Sequence, residues 1–295
     1  MSVQTIRLGL VQMPCQSAKE ENLKAAEAGI RECVSKGAQV VCLQELVNTL
    51  YFCKREEYEH FELAEDKNGA TVQHFQALAQ ELRAVIIVPF FERRASGIYH
   101  NSAAVIDADG SHLGLYRKMH IPDDPGFMEK FYFAPGDLGF KTFKTIYGTI
   151  GVLICWDQWY PEAARLTALR GADIILYPTA IGWHPDEPEE RKRYAESWQT
   201  SMRGHAIANG TYVAAVNRCG QEEDISFWGK SFVANPMGEI IAEAPEDASS
   251  NIVVDCDLKL SEQTRREWPF FRDRRVDAYE GMNARFIDDD TTSNT

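Results

Sequence analysis

Short apolar runs and amphipathic segments alternate along the chain, and this alternation predicts strands separated by helices. The apolar runs are rich in Val and Ile, which is typical of strands buried in a sheet. The amphipathic segments place apolar side chains three or four residues apart, as one face of a helix requires. The predicted strands are residues 6–13, 39–43, 85–91, 99–106, 112–117, 173–177, 212–216, 231–234, 240–244 and 252–255, with two short strands flanking 147–148; the predicted helices are residues 71–83, 162–170, 189–208 and a first helix that begins at Ser17 and ends near Gly37.

Three local signals refine these boundaries. Ser17 and Glu20 have the spacing of a capping box, which predicts the start of the first helix. Pro161 suits the first position of the helix that follows the run 149–154, because that position needs no backbone donor. Residues 107–110 have the composition of a tight turn and predict a hairpin between the flanking strands.

The two halves of the chain repeat a similar order of elements, and no Gly-, Ser- or Pro-rich linker separates them. We therefore predict one α/β domain over residues 1–287, with two mixed sheets face to face and helices outside them, which is a four-layer α-β-β-α sandwich. The pattern also permits a three-layer, doubly wound sheet. The polar residues 288–295 are predicted to be a disordered tail.

The net charge and the cysteines indicate which binding partners and which cellular compartment suit this chain. The net charge of −13 over 295 residues disfavours nucleic acid and anionic membranes as partners and mildly favours small cationic molecules. An odd number of cysteines, seven, without a CxxC pair favours reduced thiols. The N-terminus has no secretory signal pattern, and no apolar run is long enough to span a bilayer. These features predict a cytoplasmic protein.

Three polar residues follow predicted core strands: Glu45, Lys118 and Cys155. Open α/β proteins place their chemistry at such strand ends. A thiolate can attack a carbonyl carbon, a carboxylate can carry the protons, and an ammonium can stabilise the oxyanion. Each residue also suits an ordinary position, as a carboxylate at the rim, a surface lysine and a buried cysteine. The spacing alone does not show that the three converge.

The sequence offers little support for a cysteine protease, a metal site or a nucleotide site. None of the seven histidines lies in a local signature of a cysteine protease, and no HExxH or clustered Cys/His spacing indicates a metal. The sequence contains neither GxGxxG nor GxxxxGK[ST], so no nucleotide site is predicted. We accordingly expect no metal and no other cofactor.

Three segments, QEL (44–46), YRKMHIP (116–122) and GVLICWDQWYPE (151–162), resemble in order the three catalytic motifs of the nitrilase superfamily of carbon–nitrogen hydrolases. The resemblance extends over about residues 3–277. It implies the α-β-β-α fold, homo-oligomers, and a triad without metal. In that triad Glu45 is the general base and acid, Lys118 stabilises the oxyanion and Cys155 is the nucleophile. A further glutamate of the family corresponds to Glu129, which either orients Lys118 or the water or is a surface ion-pair partner.

Residues 120–137 and 181–210 resemble the N-carbamoylputrescine amidase branch of this superfamily, which implies a small cationic carbamoyl-amine substrate. Residues 47–50 depart from the pattern of that branch. Related carbamoylases that act on D-amino acids have an arginine pair where this chain has Gln158 and Trp159, so a carboxylate clamp is not expected there.

A cationic substrate needs carboxylates and aromatic faces. Of the candidate carboxylates we favour Glu187, in a loop that can cover the site. The other predicted substrate-binding residues are Trp156, Tyr51, Trp183 and Asp123, with Asp124 and Asp186 as further acidic candidates. Two alternatives stay open: another amidase of the superfamily, acting on β-ureido acids or ω-amides through a cationic pocket, and a non-catalytic scaffold homologue.

Overall fold

The computed structural model describes residues 5–183 and 188–287. Its elements follow the predicted order with small shifts at their ends. The strands are β1 (Thr5–Gln12), β2 (Val40–Leu43), β3 (Val85–Ala95), β4 (Ile98–Ile106), β5 (His112–Arg117), β6 (Thr142–Thr145), β7 (Gly148–Val152), β8 (Ile174–Thr179), β9 (Gly182–Trp183), β10 (Tyr212–Asn217), β11 (Cys219–Glu222), β12 (Ile225–Trp228), β13 (Phe232–Ala234), β14 (Ile240–Glu243) and β15 (Ser250–Asp257); the helices are α1 (Lys19–Ser35), α2 (Ala70–Leu82), α3 (Pro161–Leu169), α4 (Pro188–Asn209) and α5 (Leu258–Glu267).

The strands form two six-stranded mixed sheets and one small sheet. The first sheet has the order β15-β1-β2-β3-β4-β5, and the second has the order β14-β13-β10-β8-β7-β6. In each, the central strands are parallel and the outer strands antiparallel. The small sheet has the order β11-β12-β9. The hairpin predicted around residues 107–110 joins β4 and β5.

The two large sheets pack face to face. Leu8 and Val40 of the first sheet belong to the same buried apolar cluster as Leu176 and Val213 of the second. The outer face of the first sheet is covered by α1 and α2, and the outer face of the second by α3 and α4. The predicted four-layer α-β-β-α sandwich is confirmed, and the three-layer alternative is wrong.

Two glycines set the distance between each sheet and its outer helix. A Cβ placed on Gly9 of β1 would lie 2.9 Å from the Cβ of Cys33 in α1. A Cβ placed on Gly151 of β7 would lie 2.3 Å from Cγ2 of Thr167 in α3. Any side chain at these positions would push the helix off the sheet. In each half of the chain, a glycine in a strand thus lets the next helix pack close to the sheet.

The structure corrects the sequence prediction in two places. The capping box of Ser17 and Glu20 is wrong: Ala18 is the N-cap of α1, and no side chain caps the helix. The side chain of Asn22 instead bonds the backbone N and O of Gln16, at 2.6 and 2.8 Å. Helix α5 and the small sheet were not predicted, because α5 is mostly polar and the strands of the small sheet have only two to four residues each.

Among the described residues, no helix has the length and apolar character needed to cross a membrane. The tail predicted for residues 288–295 lies outside the described residues.

Candidate active site

The three residues singled out at strand ends meet in the structure. Glu45 follows β2, Lys118 directly follows β5, and Cys155 lies three residues beyond β7. Glu45 and Lys118 are fully buried, and Cys155 is 6% exposed. Lys118 Nζ donates to Glu45 Oε1 at 2.8 Å and to Glu129 Oε2 at 2.6 Å. A single ammonium therefore joins two buried carboxylates, and the charges of all three groups act on the Cys155 thiol.

The thiol lies at the turn between strand and helix that the sequence predicted. The backbone of Cys155 has φ +42°, in the left-handed region that non-glycine residues seldom adopt. Its Sγ donates to the carbonyl of Ala180 at 3.9 Å. The carboxylate of Asp157 accepts from Ile154 N at 3.0 Å and so stabilises the tight turn. Strained backbone of this kind is common at functional sites.

Asp157 also ties this turn to the segment that carries Lys118. Its Oδ2 accepts from Tyr116 OH at 2.7 Å, and its Oδ1 accepts from His120 N at 3.0 Å. Tyr116 and His120 lie two residues before and after Lys118. The buried carboxylate of Asp157 thus fixes the thiol and the ammonium relative to each other.

Glu45 is held through one oxygen only. Its Oε1 accepts from Lys118 and from Asn101 Nδ2, the latter at 2.7 Å. Its Oε2 is buried and has no hydrogen-bond partner within residues 5–183 and 188–287. Asn101 was not predicted from the sequence. It lies between His100 and Ser102 in the polar first half of the predicted strand 99–106, where it does not stand out from its neighbours.

The loop that follows Glu45 is held by a buried ion pair, which the sequence analysis also missed. Arg218 and Glu222 are 0% and 3% exposed and bond at 2.6 Å. Leu46 in this loop has φ +49°. The guanidinium of Arg218 donates to three loop carbonyls, those of Glu45 at 3.1 Å, Leu46 at 2.9 Å and Thr49 at 3.1 Å, and Glu222 Oε2 accepts from Tyr51 N at 2.7 Å.

Burial and charge set the proton positions in this cluster. Burial raises the pKa of the Cys155 thiol well above its ordinary value, and the charge of Glu45 raises it further, against the opposing charge of Lys118. Burial alone would lower the pKa of Lys118, but the charges of Glu129 and Glu45 outweigh it and the net pKa is raised. The resting site therefore holds a neutral thiol beside a charged ammonium.

Glu129 combines burial with a charged neighbour. Burial raises its pKa from 4.5 to about 7, against the opposing charge of Lys118. Since the unfolded chain returns Glu129 to the ordinary value, the folded state binds more protons between pH 4.5 and about 7. The contribution of Glu129 to the free energy of unfolding therefore falls as the pH rises through this interval.

Substituting Glu129 by glutamine removes this titration. We expect the free energy of unfolding of the wild type to fall relative to that of Glu129→Gln as the pH rises from 5 to 7, and the difference to level off above that. Urea unfolding at pH 5, 6, 7 and 8 measures it. Glu20→Gln, at an exposed position on α1, is the control and should show a flat difference. A flat difference for Glu129→Gln as well would contradict the prediction.

A cavity of about 670 Å³ opens beside Cys155 and Glu129. Its wall is mainly aromatic and apolar, and it also carries a carboxylate, Asp124, and a guanidinium, Arg193. The aromatic residues of the wall are Phe127, Trp156, Trp159, Trp183, Tyr194 and Trp228.

The predicted substrate-binding residues have different positions around this cavity. Trp156 and Trp183 line it, and the ring of Trp183 stacks on Tyr194 with the centroids 4.9 Å apart. Asp123 is exposed and does not line the cavity, whereas its neighbour Asp124 does. Tyr51 is buried behind the site, and its hydroxyl donates to Glu129 Oε1 at 2.8 Å. Glu187 and Asp186 lie outside the described residues.

Gln158 and Trp159, the two residues that follow Cys155-Trp156-Asp157, have different surroundings. Trp159 lines the cavity, but Gln158 is fully buried and turned into the protein, where its Oε1 accepts from Trp198 Nε1 at 2.7 Å. Gln158 therefore makes no contact with the space beside the thiol.

In the part of the chain that the structure describes, no three His, Cys, Asp or Glu side chains are grouped so that they could hold a metal ion. The groups that the structure does bring together, a thiol, two carboxylates and an ammonium, suit acyl transfer with a covalent intermediate.

A family model described as carbon-nitrogen hydrolase matches residues 7–266 of the chain. The chain belongs to this family. This carbon–nitrogen hydrolase is similar to the N-carbamoylputrescine amidase of Oryza sativa subsp. japonica, with 48% identity over 283 residues that cover 93% of each chain. It is also 42% identical to a citrullinase of Francisella tularensis over 280 residues, which cover 93% of this chain and 97% of the relative.

A solved structure of a carbon–nitrogen hydrolase is also similar to this chain, both in fold and in sequence. The crystal structure of a carbon–nitrogen hydrolase from Helicobacter pylori G27 matches with a TM-score of 0.93 and 45% identity, and covers 96% of this chain and 100% of the other. The resemblance to the nitrilase superfamily is thereby confirmed. The protein is a hydrolase acting on carbon–nitrogen bonds.

Proposed function

We propose that this carbon–nitrogen hydrolase converts N-carbamoylputrescine to putrescine, carbon dioxide and ammonia, as a step of polyamine biosynthesis. The observation that carries the chemistry is the buried Lys118 ammonium between Glu45 and Glu129, next to the Cys155 thiol. Similarity to N-carbamoylputrescine amidases, at 44–48% identity, supports the substrate. The homo-oligomeric state and the cytoplasmic location implied by the sequence stay predictions.

In the first half of the reaction, Glu45 takes the proton of the Cys155 thiol as Sγ attacks the ureido carbon. The negative charge moves to the carbonyl oxygen, where the Lys118 ammonium stabilises it. The tetrahedral intermediate collapses, the bond to the terminal nitrogen breaks, and Glu45 returns the proton to the leaving ammonia. A thiocarbamoyl group remains on Cys155.

In the second half, Glu45 takes a proton from water, and the hydroxide oxygen attacks the thiocarbamoyl carbon. The carbon–sulfur bond breaks, and the thiolate of Cys155 recovers a proton from Glu45. The released N-substituted carbamic acid decomposes to putrescine and carbon dioxide. Glu129 Oε2 accepts from Lys118 Nζ at 2.6 Å and so holds the ammonium in place, and the charge of Glu129 raises the pKa of Lys118.

The cavity offers two kinds of contact to a cationic aliphatic chain. Asp124 supplies a negative charge, and Trp156 and Trp183 supply aromatic faces to which an ammonium group is attracted. Glu187, favoured from the sequence, remains a candidate partner for the ammonium. The apolar part of the wall suits the four methylene groups between the two ends of the substrate.

A second candidate function is the hydrolysis of a ureido amino acid such as citrulline. Arg193 favours it, because this guanidinium lines the same cavity and a guanidinium can bind a carboxylate in a bidentate fashion. However, the guanidinium already forms an ion pair with Glu190 and lies 5.4 Å from the ring centroid of Tyr194. A substrate carboxylate would have to compete with Glu190.

Ammonia release from N-carbamoylputrescine, citrulline and N-carbamoyl-β-alanine separates these candidates. We expect kcat/KM to be highest for N-carbamoylputrescine and to change by less than about threefold in Arg193→Ala. Lys192→Ala, at the exposed neighbouring position, is the matched control. A higher kcat/KM for citrulline that is lost in Arg193→Ala but kept in Lys192→Ala would contradict the proposed substrate and support the second candidate.

A further inference from the structure

Asn101 contacts two of the proposed catalytic groups at once. It is fully buried in β4, and its Nδ2 donates to Glu45 Oε1 at 2.7 Å. Its backbone carbonyl accepts from Lys118 N at 2.9 Å. One residue therefore links the side chain of the carboxylate to the backbone that carries the ammonium.

The hydrogen bonds make the two oxygens of Glu45 inequivalent. Oε1 accepts from both Lys118 and Asn101, whereas Oε2 has no donor among the residues that the structure describes. An oxygen that already accepts two N–H donors is the poorer site for a further proton. Oε2 is thus the oxygen that can take a proton from the thiol or from water.

The backbone of Glu45 is fixed independently of these bonds. Arg218 donates to the carbonyls of Glu45 and Leu46, at 3.1 and 2.9 Å. The freedom that remains to Glu45 is rotation of its side chain. Lys118 and Asn101 are the two donors that restrict this rotation, and Lys118 is shared with Glu129.

We infer that Asn101 is a positioning residue that keeps Glu45 Oε1 occupied throughout the reaction and leaves Oε2 as the proton-carrying oxygen. This inference rests on the proposed role of Glu45 as base and acid. Lys118 has to turn part of its hydrogen bonding toward the oxyanion, whereas Asn101 has no such competing role. A neutral amide can also donate to Oε1 in either protonation state of the carboxyl group.

Asn101→Leu removes the donor and keeps a side chain of similar size. We expect kcat for N-carbamoylputrescine to fall about 10–100-fold, by analogy with the range found when a hydrogen-bond partner of a metal ligand is removed. KM should change by less than about threefold, because Asn101 is fully buried and does not line the cavity. Asn22→Ala is the matched control: Asn22 is equally buried and bonds the backbone of Gln16. It should lower stability and leave kcat per folded molecule unchanged.

A second measurement does not depend on the substrate. The rate at which iodoacetamide alkylates Cys155, followed by mass spectrometry, should fall about tenfold in Asn101→Leu, because Glu45 is then a less well-placed base. Asn101→Ala replaces the leucine variant where thermal unfolding shows that the latter is not folded. A wild-type kcat in the folded variant would overturn the inference. If the wild-type protein releases no ammonia from N-carbamoylputrescine, the proposed substrate fails, and the alkylation rate alone decides the role of Asn101.

Discussion

Replacing Cys155 by serine will lower kcat for N-carbamoylputrescine by about 10⁴-fold or more, the size of effect seen when a covalent nucleophile is lost. A serine hydroxyl is far less acidic than a thiol, so Glu45 would have to remove a much more tightly held proton. The fold should be retained, since the change is one atom at a residue that is 6% exposed. Ammonia release measures the activity, and circular dichroism measures the fold.

Cys256→Ser is the matched control for this variant. Cys256 is fully buried in β15, away from the cavity. Its substitution makes the same chemical change, thiol to hydroxyl, in the core. We expect it to retain kcat within about twofold when assayed well below its unfolding temperature. Activity in Cys155→Ser comparable to that of Cys256→Ser would remove the nucleophile from the mechanism.

Among the variants described, replacing Arg218 by methionine will lower the free energy of unfolding the most. The substitution leaves the Glu222 carboxylate buried without its cation, which typically costs about 3–5 kcal/mol. It also removes the donors from three carbonyls in the loop that follows Glu45. Urea unfolding measures the loss. Arg275→Met, at an exposed ion pair with Asp277, is the control and should have no measurable effect.

A double-mutant cycle separates the charge from the hydrogen bonds. Glu222→Gln keeps an acceptor for Tyr51 N and removes the charge that Arg218 neutralises. The double variant Arg218→Met/Glu222→Gln should be more stable than the sum of the two single losses predicts, because the stranded carboxylate is gone. Strict additivity would show that the ion pair does not couple the two residues.

The order of elements was predictable because strands and helices have different apolar periods, and the sequence keeps both periods cleanly. The end of the run 149–154 at Cys155, followed by Pro161, located the turn that carries the thiol. The capping box predicted at Ser17 and Glu20 does not form. Ala18 is the N-cap of α1, and the side chain that bonds the backbone before the helix is that of Asn22, which contacts Gln16. Sequence spacing alone could not choose between them.

The site was predictable only in part, because its support comes from distant parts of the chain. Glu45, Lys118 and Cys155 could be proposed together because each follows an apolar strand and lies in a recognisable motif, and the structure brings them together. Asn101 and Arg218 are 56 and 173 residues from Glu45, and no periodicity connects them to it. The guanidinium of Arg193, which reaches the cavity from α4, was equally hidden, whereas Asp124 was among the acidic candidates.

The contact between Arg218 and the backbone of Glu45 also bears on synthesis. A ribosome releases Glu45 long before Arg218, and the loop between them closes only when 173 further residues are available. Until then the left-handed turn at Leu46 has no guanidinium to hold its carbonyls. The contacts that fix the backbone of Glu45 can therefore form only after Arg218, the residue that follows β10, has been synthesised.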